Sequence, residues 1–328
     1  MDCANETVED DPALTTRSLV QPAIIARFSR NTSVKPMTIV KKPNAASRNY
    51  FSQRLRLHYL DWGNHDKPTL LLVHGNRDHC HNWDWVAENL CDDYHVIAPD
   101  FRGHGDSEWV IGSSYSHSEY VYDLAQLIHQ QDLAPLTIIA HSLGGGVALR
   151  YAGIYPENIK KMIVIEGTGG PPGELDQRPP HERMREWIES TRTVSGRIPK
   201  RYPNLEDAYQ RMHEANSHLK EDWARRLTVH GANQNEDGSY SWKFDNYTHC
   251  MSPYDMPRDD VKKLWGRIEA PVLLVSGADS WAHAQGREDP IPYFKDARHE
   301  VVKNAGHWLH HDQLDEFLAL VRIFLAEK

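Results

Sequence analysis

Five short segments, "PTLLLVHG", "YHVIAPD", "LTIIAHS", "KMIVIEG" and "APVLLVSGADS", are almost continuously apolar and each ends at a glycine or a small or acidic residue. A strand with one wet face alternates apolar and polar residues. A run that is apolar at every position must be covered on both sides, which is the situation of a strand in a parallel sheet between helical layers. The intervening stretches fit that picture. "NWDWVAENL", "SEYVYDLAQLIHQQ" and "GGVALRYAGIYP" carry helical periodicity and fall between successive runs. Strand and helix in alternation predict an α/β fold, a mostly parallel central sheet joined by right-handed helical crossovers.

The sheet is expected to open with the alternating strand "RLRLHYLDWG", to continue after residue 265 with "RHEVVKNAGH", and to end against the amphipathic helix "QLDEFLALVRIFLAEK". At "TGGPPGELDQRPP" the rhythm breaks in a dense cluster of Pro and Gly. The stretch beyond it is rich in Arg, Glu, Trp and helix formers, with one strand-like piece, "GSYSWKFD". Residues 48–167 and 266–328 are therefore assigned to the core and 168–265 to a mainly helical cap inserted after the sixth core strand. Residues 1–47 show no sustained period and are read as an extension that is at most partly ordered.

With 328 residues, 40% apolar and 25% charged, the chain is long enough to bury a full core. A formal net charge of −9 and the lack of a basic stripe exclude a nucleic-acid surface. Cys3, Cys80, Cys91 and Cys250 form no C-x-x-C pair, and with an acidic N-terminus lacking an apolar signal core they point to reduced thiols in the cytoplasm. No run of about 18 apolar residues is present, so no membrane span is expected. Asn-x-Ser/Thr triplets at Asn5, Asn31 and Asn246 carry weight only for an exported chain.

The chemistry centres on Ser142 in "LTIIAHSLGGG", where a strand turns sharply into a helix. A nucleophile at such an elbow sits on strained backbone, and small residues two positions away, here Ala140 and Gly144, let neighbouring chain pass closely. The competing reading is a serine that only caps the helix. Upstream, "LLLVHGNRDHCHNW" sets His74 and Gly75 at the end of a buried strand. The backbone N–H of Asn76 can then join that of Leu143 as an oxyanion hole. Spacing argues against a metal at His79 and His81, which lack a matching third ligand.

His-Gly-x at 74–76, "APDFRGHGDSEW" at 98–109, the serine elbow and the late "NAGHWLHHDQ" occur in order over residues 55–328, and together they resemble the α/β-hydrolase superfamily. The resemblance makes Asp100 and Arg102 bracing residues, with His104 also structural. It makes His307, in the loop before the last helix, the base for the serine, at the carboxyl edge that Ser142 shares. His310 and His311 are read as surface or packing residues. Two carboxylates compete to orient His307. The superfamily's common acid follows a Gly-x-x-Asp pattern, but here Gly277-Ala278-Asp279-Ser280 puts serine at that position, with Asp279 one residue early. Glu166 ends "KMIVIEG", where a carboxylate is costly to bury without a partner; its placement is similar to that of the acid in haloalkane dehalogenases, and it is preferred.

Dehalogenases and epoxide hydrolases of this fold use an aspartate nucleophile, so Ser142 argues for acyl transfer instead. The expected function is a serine hydrolase cleaving small-molecule carboxylic esters through an acyl-enzyme, with no cofactor and no metal; the oligomeric state is not legible. Trp187, Trp223, Tyr240 and Trp242 of the insertion are candidates for an apolar pocket wall, or simply for packing. A C–C bond hydrolase, a lactonase or amidase, a cofactor-free perhydrolase, and a non-catalytic small-ligand sensor are the alternatives.

Overall fold

The computed structural model describes residues 45–112, 115–169, 178–250, 252–281 and 289–327. Most of the expected extension, up to residue 44, lies outside them, as does Cys3; Cys80, Cys91 and Cys250 are buried. The chain begins with β1 (Ala46–Ser52), β2 (Leu55–Asp61), β3 (Thr69–Val73), α1 (Asp84–Leu90), β4 (His95–Pro99) and α2 (His117–Gln130). It continues through β5 (Leu136–His141), α3 (Leu143–Ile154) and β6 (Ile159–Ile165). Between β6 and the next strand of the main sheet lie α4 (Pro180–Ser195), α5 (Leu205–Ala215), α6 (Glu221–Gly231), β7 (Ala232–Gln234), β8 (Tyr240–Trp242) and α7 (Arg258–Trp265), the stretch expected from sequence to form an inserted cap. β9 (Val272–Gly277), β10 (Ala297–Val302), α8 (Leu309–Asp312) and α9 (Leu314–Ala326) complete it.

Eight strands form one sheet in the order β1-β2-β4-β3-β5-β6-β9-β10. β1–β2 and β2–β4 pair antiparallel, and every pairing from β4 to β10 is parallel. The apolar runs behave as their composition demands. Leu71, Ile138, Val164 and Leu274 face a core completed by α2, α3 and α7, while Leu70, Leu72, Ile139, Ile163 and Leu273 face a second core under α1 and α9. The order reverses around β3 and β5, and the crevice outside the carboxyl ends of strands at such a switch point is where α/β sheets hold ligands.

Three features depart from the sequence reading. β1 begins at Ala46, inside the expected extension; only Tyr50 and Ser52 of it are buried, so it is a strand by virtue of its pairing with β2. β7 pairs with β8 in a small hairpin. α7, counted with the insertion, buries Val261 and Trp265 in the core and packs so tightly on α3 that a Cβ on Gly153 would lie 2.4 Å from the Leu264 carbonyl oxygen. Of the other helices, α5 and α6 enclose their own small cluster of Tyr209, Leu219, Ala224 and Leu227. They meet α1 through Trp223 stacked on Trp85 at 4.0 Å and through Arg226, which reaches Asp84 at 2.6 Å.

The loop after β4 is braced by buried charge. The Arg102 side chain is fully enclosed, and its Nε and Nη2 donate to the two oxygens of Asp123 at 2.6 and 2.7 Å. Asp123→Asn is expected to destabilise the protein by about 2–4 kcal/mol, because it removes the buried one of the two carboxylates paired with this guanidinium and leaves only the partly exposed Glu119, at 3.1 Å. Urea unfolding measures it, and a loss under about 1 kcal/mol contradicts the bracing role.

Candidate active site

Ser142 follows directly on β5 with φ 52° and ψ −119°, a left-handed conformation that an ordinary side chain adopts only under constraint. Its N–H donates to the Ile165 carbonyl at 2.8 Å, and its side chain makes no capping hydrogen bond to α3. A helix-capping serine sits in the extended region and accepts from the first turn. Ser142 does neither, so capping does not explain it. The close passage foreseen from sequence is present: a Cβ on Gly144 would fall 2.4 Å from the His74 carbonyl oxygen, and one on Gly145 would fall 2.6 Å from Gly167 Cα. Together these contacts press the start of α3 onto the ends of β3 and β6.

The His74–Asn76 loop crosses the same rim. Gly75 lies against the elbow; a Cβ there would stand 3.2 Å from that of Ser142. His74 Nδ1 donates to the Gly75 carbonyl at 2.6 Å while its Nε2 accepts from the Phe101 N–H at 3.0 Å, and burial lowers its pKa, so the ring is a neutral strut. His104 is buried, held down to about 3 by desolvation, and lies 3.2 Å from the Asn76 side-chain oxygen. Its bracing role extends to the loop that carries the candidate oxyanion donor. Burial alone would raise the Asp100 carboxyl, but bonds from His58 at 2.7 Å and from the Cys80 and Asp106 N–H groups hold it far below the usual range.

His307 is buried in the loop between β10 and α8, where the Gly306 N–H donates to Asp312 at 2.7 Å. Its Nδ1 donates to Glu166 Oε2 at 2.6 Å. Glu166 is itself at positive φ, 47°, immediately after β6, and its side chain is 1% exposed. Three donors converge on its two oxygens: His307 Nδ1–H and the Ser280 hydroxyl, each 2.6 Å from Oε2, and the Gly277 N–H, 2.9 Å from Oε1. His307 and the elbow are tied together through His141, the residue before Ser142. The His141 Nε2 donates to the His307 carbonyl at 2.9 Å, and the two rings stand 4.6 Å apart.

Of the two competing acids, Glu166 is the one bonded to His307. Asp279 is exposed, and its N–H donates to the Ala305 carbonyl at 2.9 Å. Ser280 is a site residue whose part the sequence reading missed, although the signal was visible as serine standing where an aspartate is usual. His310 and His311 are both buried packing residues bonded to Asn82. His79 donates to the Leu227 carbonyl at 3.2 Å, joining core to insertion. Trp223 is used in the stack on Trp85, and Trp242 donates to the Tyr202 hydroxyl at 3.2 Å, so both serve packing. Beside His307 lies a cavity of about 540 Å³ lined by Trp281, Trp308, His218, Asp279, Asp312 and Asn304 among others.

A strained serine elbow at the switch point of a doubly wound sheet, tied through His141 to a histidine that is bonded to a buried carboxylate, defines an α/β protein with a candidate nucleophile elbow. Residues 68–314 match the family model described as alpha/beta hydrolase fold, and the chain belongs to that family. An uncharacterized protein of Mycobacterium tuberculosis (strain ATCC 25618 / H37Rv) is 31% identical over 140 residues, 43% of this chain, and the match spans only 40% of that relative's length. Esterase YbfF of Escherichia coli (strain K12) is 25% identical over 273 residues, covering 80% of this chain and 95% of the esterase. Among solved structures, a thioesterase domain from the curacin biosynthetic pathway superposes with a TM-score of 0.75 at 22% identity, over 85% of this chain and 99% of that one. Among the described residues no helix is long and apolar enough to cross a membrane.

Proposed function

We propose that this chain is a serine hydrolase of small-molecule carboxylic esters, with Ser142 as nucleophile, His307 as base, Glu166 as orienting acid, and the Asn76 and Leu143 N–H groups as the oxyanion hole. The observation that carries the reading is the 2.6 Å bond from His307 Nδ1 to Glu166. With its proton committed on Nδ1, the ring keeps a lone pair on Nε2, the form a general base needs. The likeness to an E. coli esterase supports ester substrates, and the serine supports an acyl rather than an alkyl intermediate.

Attack by the Ser142 oxygen forms the bond to the ester carbonyl carbon as its proton passes to His307 Nε2. The carbonyl oxygen becomes an anion facing two backbone N–H groups near the positive end of α3. Collapse breaks the carbon–alkoxide bond, and the imidazolium gives its proton to the departing alcohol. Water then repeats the cycle: His307 takes its proton, the hydroxide oxygen bonds the acyl carbon, and Ser142 regains a proton as the carboxylic acid leaves.

A fluorophosphonate probe is expected to add once, at Ser142 with loss of fluoride, as intact-mass and peptide mapping report, and the untreated protein is expected to release p-nitrophenolate from p-nitrophenyl acetate or butyrate. A protein that is neither labelled nor able to turn over either ester overturns the reading in favour of a non-catalytic ligand sensor.

A further inference from the structure

Far from Ser142, at the opposite end of the sheet, three side chains converge at the start of β4. Asp61 ends β2, His65 lies in the loop that follows, and His95 is the first residue of β4. Gly63 and Asn64 take successive left-handed conformations, φ 73° and 65°, which fold the chain back so that His65 returns over Asp61. The loop is fastened on either side: the Asn64 amide donates to the Cys91 and Asp92 carbonyls at 2.9 and 3.1 Å, and the Trp62 N–H donates to Val96 at 3.0 Å. The Gly63 N–H fixes the Asp61 carboxylate through Oδ1 at 2.8 Å.

One atom in this arrangement cannot satisfy its neighbours. His95 Nε2 stands 3.1 Å from His65 Nδ1 and 3.2 Å from Asp61 Oδ1. If Nε2 carries the proton, that single hydrogen is divided between two acceptors. If it carries the lone pair, it accepts from His65 while facing a carboxylate oxygen lone pair at hydrogen-bond distance. Three lone pairs converging on one point are what a divalent cation satisfies. Bonds of about 2.0–2.2 Å in a tetrahedral site set neighbouring ligand atoms about 3.3 Å apart, close to the two separations here. The rings are steeply inclined, 70°, so their in-plane lone pairs can meet, and the His65 side chain, 64% exposed, can close the last edge by rotation. Arg48 approaches only the other carboxylate oxygen, at 3.6 Å.

We propose that Asp61, His65 and His95 bind a borderline divalent transition-metal ion, zinc or its neighbours, which staples the β2–β3 loop to β4 and leaves a coordination position open to solvent. Two imidazoles and one carboxylate select such ions over calcium or magnesium, which prefer all-oxygen sets. Among the described residues, two other clusters of similar composition are committed elsewhere. Near Cys80, both Asp100 oxygens already accept hydrogen bonds. In the group His81, Asp84 and His230, the rings are stacked face to face at 3.6 Å and Arg226 occupies the carboxylate.

Chelator-treated full-length protein titrated with zinc chloride against a fluorescent zinc indicator at pH 7.5 tests the site. One tight equivalent is expected, with a zinc-dependent rise in Tm. His65→Ala and Asp61→Asn are each expected to weaken that equivalent by about a hundredfold and to abolish the Tm rise, while His81→Ala changes neither. No zinc binding by the unaltered protein, equal affinity in His65→Ala and the unaltered protein, or a loss confined to His81→Ala overturns the proposal. Ester turnover is not the readout, so the outcome is independent of the function proposed for Ser142.

Discussion

Ser142→Ala is expected to lower kcat on p-nitrophenyl acetate by roughly 10⁶-fold and to abolish fluorophosphonate labelling, while unfolding stability stays within about 0.5 kcal/mol of the unaltered protein. The two halves of that expectation rest on the same geometry. The hydroxyl forms no capping bond with α3, so its removal costs the helix nothing. The strained φ of 52° is shared by serine and alanine and is enforced by the Ile165 carbonyl and the close approach of Gly144 to β3. What disappears is the atom proposed to attack. The backbone donors at Asn76 and Leu143 persist, and such donors with substrate binding alone sustain some 10³–10⁴-fold over water in related triads, which sets the floor of the variant's activity. Turnover in Ser142→Ala above about a tenth of the original removes the acyl-enzyme from consideration.

The parts of this molecule that were legible in the sequence are those where burial alone dictates composition. β3, β5, β9 and the second half of β6 are covered on both faces, so nearly every position there is apolar, and the pattern announces itself. The elbow was equally visible, since a tight turn crossing two neighbouring strands admits almost nothing but small residues around Ser142. β1 was not: four of its seven residues in sequence, Ala46 to Asn49, face solvent, and its extended form comes from pairing with β2, a tertiary fact. α7 hides in the same way, because Val261 and Trp265 are its only buried residues among charged ones. The acid was only half legible. Composition could flag a carboxylate at the end of an apolar strand, and the serine at residue 280 could flag a departure. That these are one feature, a hydroxyl donating to a displaced carboxylate, follows from β6 and β9 being neighbours in the sheet. Asp61 and His95 are 34 residues apart in sequence, and the antiparallel return of β2 beside β4 brings them together.

The second large effect concerns that carboxylate. Glu166→Gln preserves shape and is expected to lower kcat by about 10⁴-fold, with the fold intact by circular dichroism. The size of the loss follows from donor counting. Both oxygens of Glu166 accept, from the His307 ring and the Ser280 hydroxyl on one side and the Gly277 N–H on the other. An amide offers an acceptor to one side only. If its NH₂ faces Gly277, a side-chain amide hydrogen collides with the Gly277 backbone N–H. If it faces His307, the ring must accept on Nδ1, the proton moves to Nε2, and that nitrogen can no longer act as the base proposed for Ser142. Ser280→Ala removes one of the three donors and leaves the charge, so its loss is about tenfold, the worth of a single hydrogen bond to a charged group. Asp279→Asn, on an exposed residue whose backbone N–H donates to the Ala305 carbonyl and whose carboxylate meets neither His307 nor another hydrogen-bond partner among the described residues, is expected to stay within about threefold. The ordering Glu166→Gln far below Ser280→Ala, with Asp279→Asn near the original, is the signature of an acid that has moved one strand over, with serine left at its former position as a supporting donor. A collapse of turnover in Asp279→Asn with Glu166→Gln active inverts that ordering and returns the acid to the loop after β9.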